Sequence, residues 1–391
     1  MFPVALAILV LHSGGGAGRL GLILAIQTVA LVVGTFAAAA FGDRWRRTRV
    51  MMATDIVRAA AVITIAVGGT HQSLAVLEIM VALVGLGEGI FQPVFSAAIP
   101  RLLPKDLLQP ANGLNSLSMY MSMVLGPGLA GAVLGAWGPP GALWIDAVTF
   151  VASMVTLVAV REVAMETGER RQANGIKDVL RHTWDDMREG FRAVRYRPWL
   201  GVTITMSMLI MLLVSAPSLL LLPVEAVSRL GGAHSYSLVL VAMGIGSTIG
   251  AIVSGRIHVR RPGLVALCGV ATIAVSDLGL AFLPLPGVIV TWCVSGFGVT
   301  LFNTLWVTAI QKNVPDAVMA RVMALDWMGS MALMPLGYGL TGAVSHVVGV
   351  RPILIAGAIL VLIMAPVPLL IRGGSTFTDQ PGAEPDLPPT R

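Results

Sequence analysis

The 391-residue chain carries a net charge of +6, and 56% of its residues are hydrophobic while only 12% are charged. A mean hydropathy of +0.84 excludes a set of soluble globular domains, because a water-facing surface needs more charged side chains than this chain contains. The composition therefore indicates a membrane protein.

Apolar runs of about 20 residues, long enough as helix to cross roughly 30 Å of hydrocarbon, recur along the chain. Residues 2–11, FPVALAILVL, are too few to span, and they lack the basic flank and cleavage site of a signal peptide. We expect them to form the outer half of a first helix whose beginning is missing; otherwise the chain has eleven spans and its termini lie on opposite sides. The full spans are predicted at residues 19–41, 50–69, 72–98, 114–136, 139–160, 200–222, 235–256, 263–284, 286–309, 322–346 and 350–371.

A long polar segment at residues 161–199 divides the spans into two groups of six, counting the fragment. Apolar residues recur within it at three- and four-residue spacing, for example Trp184, Met187 and Phe191, which predicts an amphipathic helix along the inner membrane surface. We therefore predict an N-terminal bundle at 1–160, a cytoplasmic linker at 161–199, a C-terminal bundle at 200–372 and a disordered cytoplasmic tail at 373–391, which is rich in Pro and Gly.

The basic residues cluster in alternate loops, beginning with Arg44, Arg46, Arg47 and Arg49 and continuing through the linker, whereas the intervening loops carry few. This asymmetry follows the positive-inside rule, so the arginine-rich loops and the C-terminus face the cytoplasm. The distribution also argues against nucleic acid as the partner of the basic residues and in favour of the bilayer.

The two groups of spans align without gaps when the sequence is shifted by 211 positions. Gly85 then falls on Gly296, Phe91 falls on Phe302, and GPGLAGAV at 126–133 falls on GYGLTGAV at 337–344. Duplicated bundles related by an axis along the membrane normal, with a site between them, are a transporter architecture. The sequence therefore predicts an all-α membrane protein of two six-helix bundles with pseudo-twofold symmetry.

The loop after the first full span reads GDRWRRTR and crowds charges between two apolar runs. Asp43 can accept hydrogen bonds at a helix N-terminus or pair with an arginine, while Arg44 and Arg47 hold the loop at the inner leaflet. Asp55 and Arg58 stand at i and i+3 on the next helix, so they can pair with each other or with the loop.

This loop resembles the signature of the major facilitator superfamily, roughly G-x-x-x-D-R-x-G-R-R/K, with Ala39 and Arg46 replacing its two glycines. The stretches ATDIVRAA, GLGEGIFQPVFSAAIPRLLPKDLLQPANGL and GPGLAG are similar to the subgroup of enterobactin-exporter-like and macrolide-efflux-like proteins. The resemblance implies the major facilitator fold, and it implies that Asp43, Arg44, Arg47, Asp55 and Arg58 act as a conformational latch between the halves rather than as a substrate site.

The segment containing Gly126, Pro127 and Gly131 partly matches the fifth-helix signature of antiporters in that superfamily, which favours export over uptake. Glycines at helical spacing allow close helix contact, and proline permits bending. Both interpretations, a helix-bending motif and close packing without motion, are open.

A carboxylate inside the bilayer costs roughly 2.5–3.5 kcal/mol on insertion scales, so each one requires a partner or a function. Glu88 lies deepest, and Gln92 follows it at i+4 on the same face. With Gln27, Asn115 and Asn303, these side chains predict a polar substrate and proton cavity. Glu88 binds the coupling proton or a cationic substrate group in this hypothesis; the alternative is a carboxyl group satisfied by a neighbouring helix.

The other intramembrane acids are weaker candidates. We expect structural pairing for Glu78, Asp146 and Asp277. We expect Asp326, which we place near the start of the eleventh helix, to be an N-terminal cap.

The sequence thus predicts a monomeric, multi-pass secondary active transporter of the plasma or inner membrane. It is expected to export a small amphiphilic drug or siderophore-like molecule in exchange for protons by alternating access. The alternative is a non-transporting or defective membrane scaffold, because of the truncated first helix. No phosphate-binding loop, catalytic pair or metal-ligand spacing points to ATP, an enzyme, a cofactor or a metal site.

Overall fold

The computed structural model describes residues 1–41, 46–102, 107–160, 191–192, 194–257 and 259–378. These residues form α-helices joined by short turns, with no strand among them. Within the described ranges, ten helices are long and apolar enough to cross a membrane. An all-α membrane architecture follows.

The described residues of the N-terminal half form five α-helices. The first is short, and its side chains from Val4 to Val10 are buried. It packs against the fifth helix, so this apolar segment belongs to the protein core. The helices are α1 (Phe2–His12), α2 (Ala17–Phe41), α3 (Arg47–Gly68), α4 (Leu74–Leu102) and α5 (Leu108–Ala159).

Helix α5 comprises two membrane spans. Its 52 residues would extend about 78 Å as one straight helix, far more than a bilayer requires. Gly138 interrupts it with a φ of 66° and a ψ of −175°, a conformation that glycine adopts readily because it has no Cβ atom. The two spans predicted at 114–136 and 139–160 therefore meet at this glycine.

Seven α-helices occur in the part of the C-terminal half that the structure describes. A five-residue π-helical turn, Met211–Ser215, joins the first two into one span of 31 residues. Gly231 and Gly232, both with positive φ, separate the second helix from the third. The helices are α6 (Pro198–Ile210), α7 (Ala216–Ser228), α8 (Ala233–Ser254), α9 (Pro262–Phe282), α10 (Leu285–Asn313), α11 (Asp316–Val348) and α12 (Val350–Met364).

The described residues divide into two compact units. The first holds those of Met1–Arg181, Leu219–Val241 and Met334–Val350, and the second holds those of His182–Ser218, Ala242–Leu333 and Arg351–Arg391. Parts of α7, α8 and α11 thus group with the N-terminal helices. The predicted boundaries at 160 and 200 describe the sequence halves and stay a prediction.

The predicted duplication has a counterpart in how glycines pack. In the first unit, a Cβ atom at Gly85 of α4 would collide with the backbone carbonyl of Gln27 on α2. In the second unit, a Cβ atom at Gly296 of α10 would collide with the backbone carbonyl of Met243 on α8. The same glycine therefore brings the same pair of helices into backbone contact in each half.

A second pair of glycine contacts joins the same helices, α2 with α4 and α8 with α10, and shows which residues of the two halves are equivalent. Gly34 of α2 packs against the backbone of Leu86, and Gly250 of α8 packs against the backbone of Phe297. Leu86 and Phe297 are separated by 211 positions, whereas Gly34 and Gly250 are separated by 216. The halves thus differ by five residues in the connection between these helices, and the helix contacts are preserved.

The segment after α12 is folded where we predicted a disordered tail. Phe377 is fully buried and lies against Trp199 and Trp306, with ring centroids 5.8 and 5.4 Å apart. Its carbonyl accepts a hydrogen bond of 3.0 Å from the Asn313 side chain. The prediction was wrong for residues 373–378, because one buried aromatic ring outweighs the Pro and Gly content around it. Residues 379–391 lie outside the described part of the chain.

Candidate functional site

Asp55 and Arg58 form an ion pair on α3, one of the two pairings that the sequence allows. Asp55 is fully buried, and its carboxylate accepts a hydrogen bond from the Arg58 guanidinium. The other carboxylate oxygen accepts a 2.6 Å hydrogen bond from Ser153 on α5. An ion pair in an apolar interior is stable when such additional hydrogen bonds satisfy the carboxylate.

The Arg58 side chain is held by aromatic rings from two other helices. Its guanidinium carbon lies 4.8 Å from the ring centroid of Phe91 on α4 and 4.6 Å from that of Phe150 on α5. Gly87 of α4 makes room for the arginine stem, since an added Cβ atom there would lie 2.7 Å from the Arg58 Cγ. The result is a cation fixed at the junction of α3, α4 and α5.

Two of the other predicted latch residues lie outside the described residues, namely Asp43 and Arg44. Arg47 is described, and its guanidinium donates a hydrogen bond to the carbonyl of Ala97 near the end of α4. Arg47 thus ties the start of α3 to the end of α4, about 12 Å along α3 from Asp55. The contacts described for Arg47, Asp55 and Arg58 all lie within the first unit, and the latch between the halves stays a prediction.

Glu88 lies on α4 one residue after the glycine that receives Arg58. It is partly buried, and within the described residues no hydrogen bond or ion pair reaches its carboxyl group. A charge on Glu88 is attracted by Arg58 and repelled by Asp146 of α5. The buried Nε of Arg58 also has no hydrogen-bond partner among the described residues. Among the described residues, the carboxyl group of Glu88 therefore has no hydrogen-bond partner, and the nearby guanidinium of Arg58 has one unused donor, its Nε.

The remaining predicted cavity residues are distributed over both units. Gln92 and Asn115 are exposed and Gln27 is partly buried in the first unit, where the Gln27 backbone lies against Gly85. Asn303 is exposed and belongs to the second unit. Their convergence on one cavity stays a prediction.

The glycine-proline segment of α5 packs closely against α8. A Cβ atom at Gly131 would lie 2.5 Å from the Cβ of Ser237, whereas a Cβ atom at Gly126 would meet open space. Among the residues of α5, non-helical backbone angles occur at Gly138 and not at Pro127. Close contact thus accounts for Gly131, while bending at Gly126 and Pro127 stays a prediction.

The same contact recurs between α11 and α2, within the first unit. Gly342, which the 211-position shift aligns with Gly131, packs against Gly21 of α2, where an added Cβ atom would lie 3.3 Å from the Gly342 Cα. Ser237 and Gly21 are related by the 216-position shift found for α2 and α8. Two equivalent glycine contacts therefore join helices from the two sequence halves.

Sequence reasoning named Asn303 as a cavity residue but missed the pocket of the second unit that it lines. It has a volume of about 130 Å³ and is lined by residues of α6, the π-helical turn, α9, α10 and α11. Asp326 lies in its wall, ten residues after the start of α11, and accepts a 3.2 Å hydrogen bond from the indole nitrogen of Trp306. The expected N-terminal cap is therefore wrong, because α11 begins earlier, at Asp316, than hydropathy indicates.

The internal repeat held the signal for this pocket. The 211-position shift places Asn115 on Asp326, Gln92 on Asn303, and Glu88 on Val299, which also lines the pocket. The pocket thus occupies the positions in the second half that we chose as cavity residues in the first.

Asp277 has a structural partner, in agreement with the expected pairing. This buried α9 carboxylate accepts a 2.6 Å hydrogen bond from Ser218 of α7, and an added Cβ atom at Gly357 of α12 would lie 3.0 Å from it. It does not line the pocket that contains Asp326.

The sequence profile of the Major Facilitator Superfamily matches residues 1–334. The chain belongs to the major facilitator superfamily. Its helices, its duplicated contacts and the loop signature at 39–47 agree with that membership, and its fold is the all-α major facilitator fold of two six-helix bundles.

Curated relatives of this major facilitator chain are efflux proteins. It is 27% identical over 385 residues to the multidrug efflux pump Tap of Mycolicibacterium fortuitum, an alignment that covers 94% of this chain and 90% of Tap. It is 24% identical over 364 residues to the enterobactin exporter EntS of Citrobacter koseri, covering 88% of this chain and 83% of EntS. Both relatives are named as exporters.

Solved structures show the same fold at low sequence identity. A POT family transporter in complex with 5-aminolevulinic acid is similar with a TM-score of 0.72 and 11% identity, over 96% of this chain and 93% of that one. The nucleoside transporter NupG is similar with a TM-score of 0.69 and 12% identity, over 93% and 92%. The protein is therefore a multi-pass membrane protein with the fold of a transporter.

Proposed function

We propose that this chain is a secondary transporter that exports a small amphiphilic molecule, a drug or a siderophore-like compound, in exchange for protons. The observation that carries the proposal is the alignment with the efflux pump Tap along 94% of the chain. It acts in the plasma or inner membrane as a monomer with a cytoplasmic C-terminus, and its partners are the lipid bilayer, the exported molecule and protons.

Glu88 is the proposed proton carrier. Intramembrane carboxyl groups are costly and mark proton relays in transporters. When Glu88 is protonated, Arg58 pairs with Asp55 alone; when Glu88 loses its proton, its charge also attracts the guanidinium of Arg58, whose Nε donor is unused. Because Arg58 joins α3, α4 and α5, this added attraction alters how three helices pack.

Alternating access is supported by the two glycine contacts between the sequence halves. Gly131 with Ser237 and Gly342 with Gly21 lie near the helix ends that the arginine distribution predicts to be external. Glycines let two helices bring their backbones into close contact, so in the proposed cycle these contacts hold the sequence halves together at that end in one state and break in the other. These contacts are the proposed external gate.

Export is tested first by growth inhibition with a drug panel, with and without the gene, repeated with a protonophore. Reduced sensitivity that the protonophore abolishes is expected; no change in sensitivity to any compound contradicts export.

Proton coupling is tested with Glu88→Gln in proteoliposomes. Glu88→Gln is expected to lower efflux driven by a pH gradient at least about tenfold while retaining downhill efflux, because the amide cannot release a proton. Glu78→Gln, on the same helix, is the matched control and is expected to behave as the parent protein. Unchanged pH-driven efflux in Glu88→Gln would remove Glu88 from this role.

A further inference from the structure

The pocket around Asp326 combines an acid with aromatic walls inside a membrane span. Asp326 lies five positions after Arg321, where the span starts, which is about 7.5 Å along the helix. Its described contact is the Trp306 indole, and no ion-pair partner of Asp326 occurs among the described residues. A carboxylate at this depth calls for a cation that the described side chains do not supply.

Two aromatic rings line the same pocket. Phe302 and Trp306 are stacked, with centroids 6.1 Å apart and planes inclined by 9°. Trp199 and Phe377 pack edgewise against Trp306, at 6.0 and 5.4 Å. Trp306 is therefore held in place by three neighbouring rings while it lines the cavity, which gives a preorganised aromatic surface for a cation.

Polar side chains of the pocket can form further hydrogen bonds to a ligand. The hydroxyl of Ser207 is buried and has no hydrogen-bond partner within the described residues. Asn303 and Ser330 add an amide and a second hydroxyl to the lining. The π-helical turn Met211–Ser215 borders the pocket as well, and such turns are frequent at functional sites.

We propose that this pocket binds the cationic end of an amphiphile, with its ammonium group paired to the Asp326 carboxylate and lying against Trp306 and Phe302. This inference rests on the proposed function for its transport role and names the substrate class as a monocationic amphiphile. A volume of about 130 Å³ admits an ammonium group with its methyl substituents, while the remaining apolar part of the molecule lies outside the pocket.

The internal repeat places Asp326 and Glu88 at positions that are not equivalent in the two halves, which indicates different roles for the two acids. The first half carries an acid at Glu88 and an amide at Asn115, whereas the second half carries Val299 and Asp326 at the equivalent positions. Each half thus has one acid in this set, on a different helix. A proton and an organic cation are then bound by different carboxylates.

Binding, which requires neither transport nor a proton gradient, tests the proposal. The purified full chain in nanodiscs is titrated calorimetrically with dodecyltrimethylammonium and with an uncharged dodecyl analogue. Asp326→Asn is expected to weaken binding of the cation by about tenfold or more and that of the neutral analogue by less than about threefold, since a buried charge-assisted contact is lost. The matched control is Asp277→Asn, an acid of the same unit outside the pocket, which is expected to bind as the parent does.

A second variant keeps the test decisive if Asp326→Asn fails to fold. Phe302→Leu retains an apolar side chain and removes a ring, so it is expected to weaken binding of the cation about two- to fivefold and to leave the neutral analogue unaffected. Equal binding of the cation by Asp326→Asn and the parent overturns the proposal, as does equal weakening for both ligands. Selective binding of the cation by a protein without any efflux activity would refute the proposed function and leave the pocket assignment standing.

Discussion

Removing one partner of the Asp55–Arg58 pair should destabilise the protein strongly, and removing both should not. Asp55 is fully buried and binds both Arg58 and Ser153, while Arg58 lies between Phe91 and Phe150. A buried charge left without its partner costs about 3–5 kcal/mol, so Asp55→Leu is expected to lower the free energy of unfolding by that amount.

Arg58→Met keeps the long stem against Gly87 and the two rings but removes the charge. On its own it leaves the Asp55 carboxylate with the Ser153 hydroxyl, and it is also expected to cost about 3–5 kcal/mol. The double variant replaces the pair with apolar side chains and is expected to lie within about 2 kcal/mol of the parent, because buried ion pairs and apolar replacements are often similar in stability. Ser153→Ala is expected to cost about 1.5–3 kcal/mol, the value of a hydrogen bond to a charge.

The measurement is denaturation of the purified protein in detergent, followed by circular dichroism, for the parent, both single variants and the double variant. Since the single variants cost at least about 3 kcal/mol each and the double variant no more than about 2, the double-mutant cycle is expected to give a coupling energy of at least about 4 kcal/mol. Single-variant effects that add to within about 0.5 kcal/mol would show that the two side chains do not stabilise each other, and the reasoning would be refuted.

Two further predictions concern packing. Phe377→Ala is expected to lower the free energy of unfolding by about 3–5 kcal/mol in the same assay, because a fully buried ring is lost. The control is Leu370→Ala, at a side chain that is 84% exposed, which is expected to leave the free energy of unfolding unchanged. A Phe377→Ala protein as stable as the parent would contradict the packing of residues 373–378. Gly89→Ala is expected to cost about 1–3 kcal/mol, because its Cβ atom would lie 3.0 Å from the Thr35 backbone nitrogen and closer still to the Leu31 carbonyl. Gly126→Ala, which meets open space, is the control, and equal effects of the two alanines on thermal stability would refute the close contact of α4 with α2.

Hydropathy and helical spacing predicted most of the fold. The spans, the break between 136 and 139, and the pairing of Asp55 with Arg58 depend on local sequence, so they could be derived from it. Ser153 could not be identified as a partner of Asp55, because the two residues are 98 positions apart and nothing in their local sequence links them.

The pocket was missed for a related reason. Hydropathy identifies a span but not the face that a side chain occupies, and Asp326 near the end of a span looked like a cap. The alignment of Asn115 with Asp326 contained the information, but its significance depends on the neighbouring helices that enclose both positions. The C-terminal segment was predicted incorrectly for another reason. Composition describes a segment on average, whereas the single ring of Phe377 determines where residues 373–378 pack.

The glycine contacts between α2 and α4, and between α8 and α10, engage backbone atoms at Gln27, Leu86, Met243 and Phe297. Contacts of this kind make no demand on which side chains lie at other positions of the same helices. After duplication, each copy could therefore gain or lose a carboxylate without changing how its helices pack. The two halves could then come to differ in their charged residues while they kept the same helix contacts.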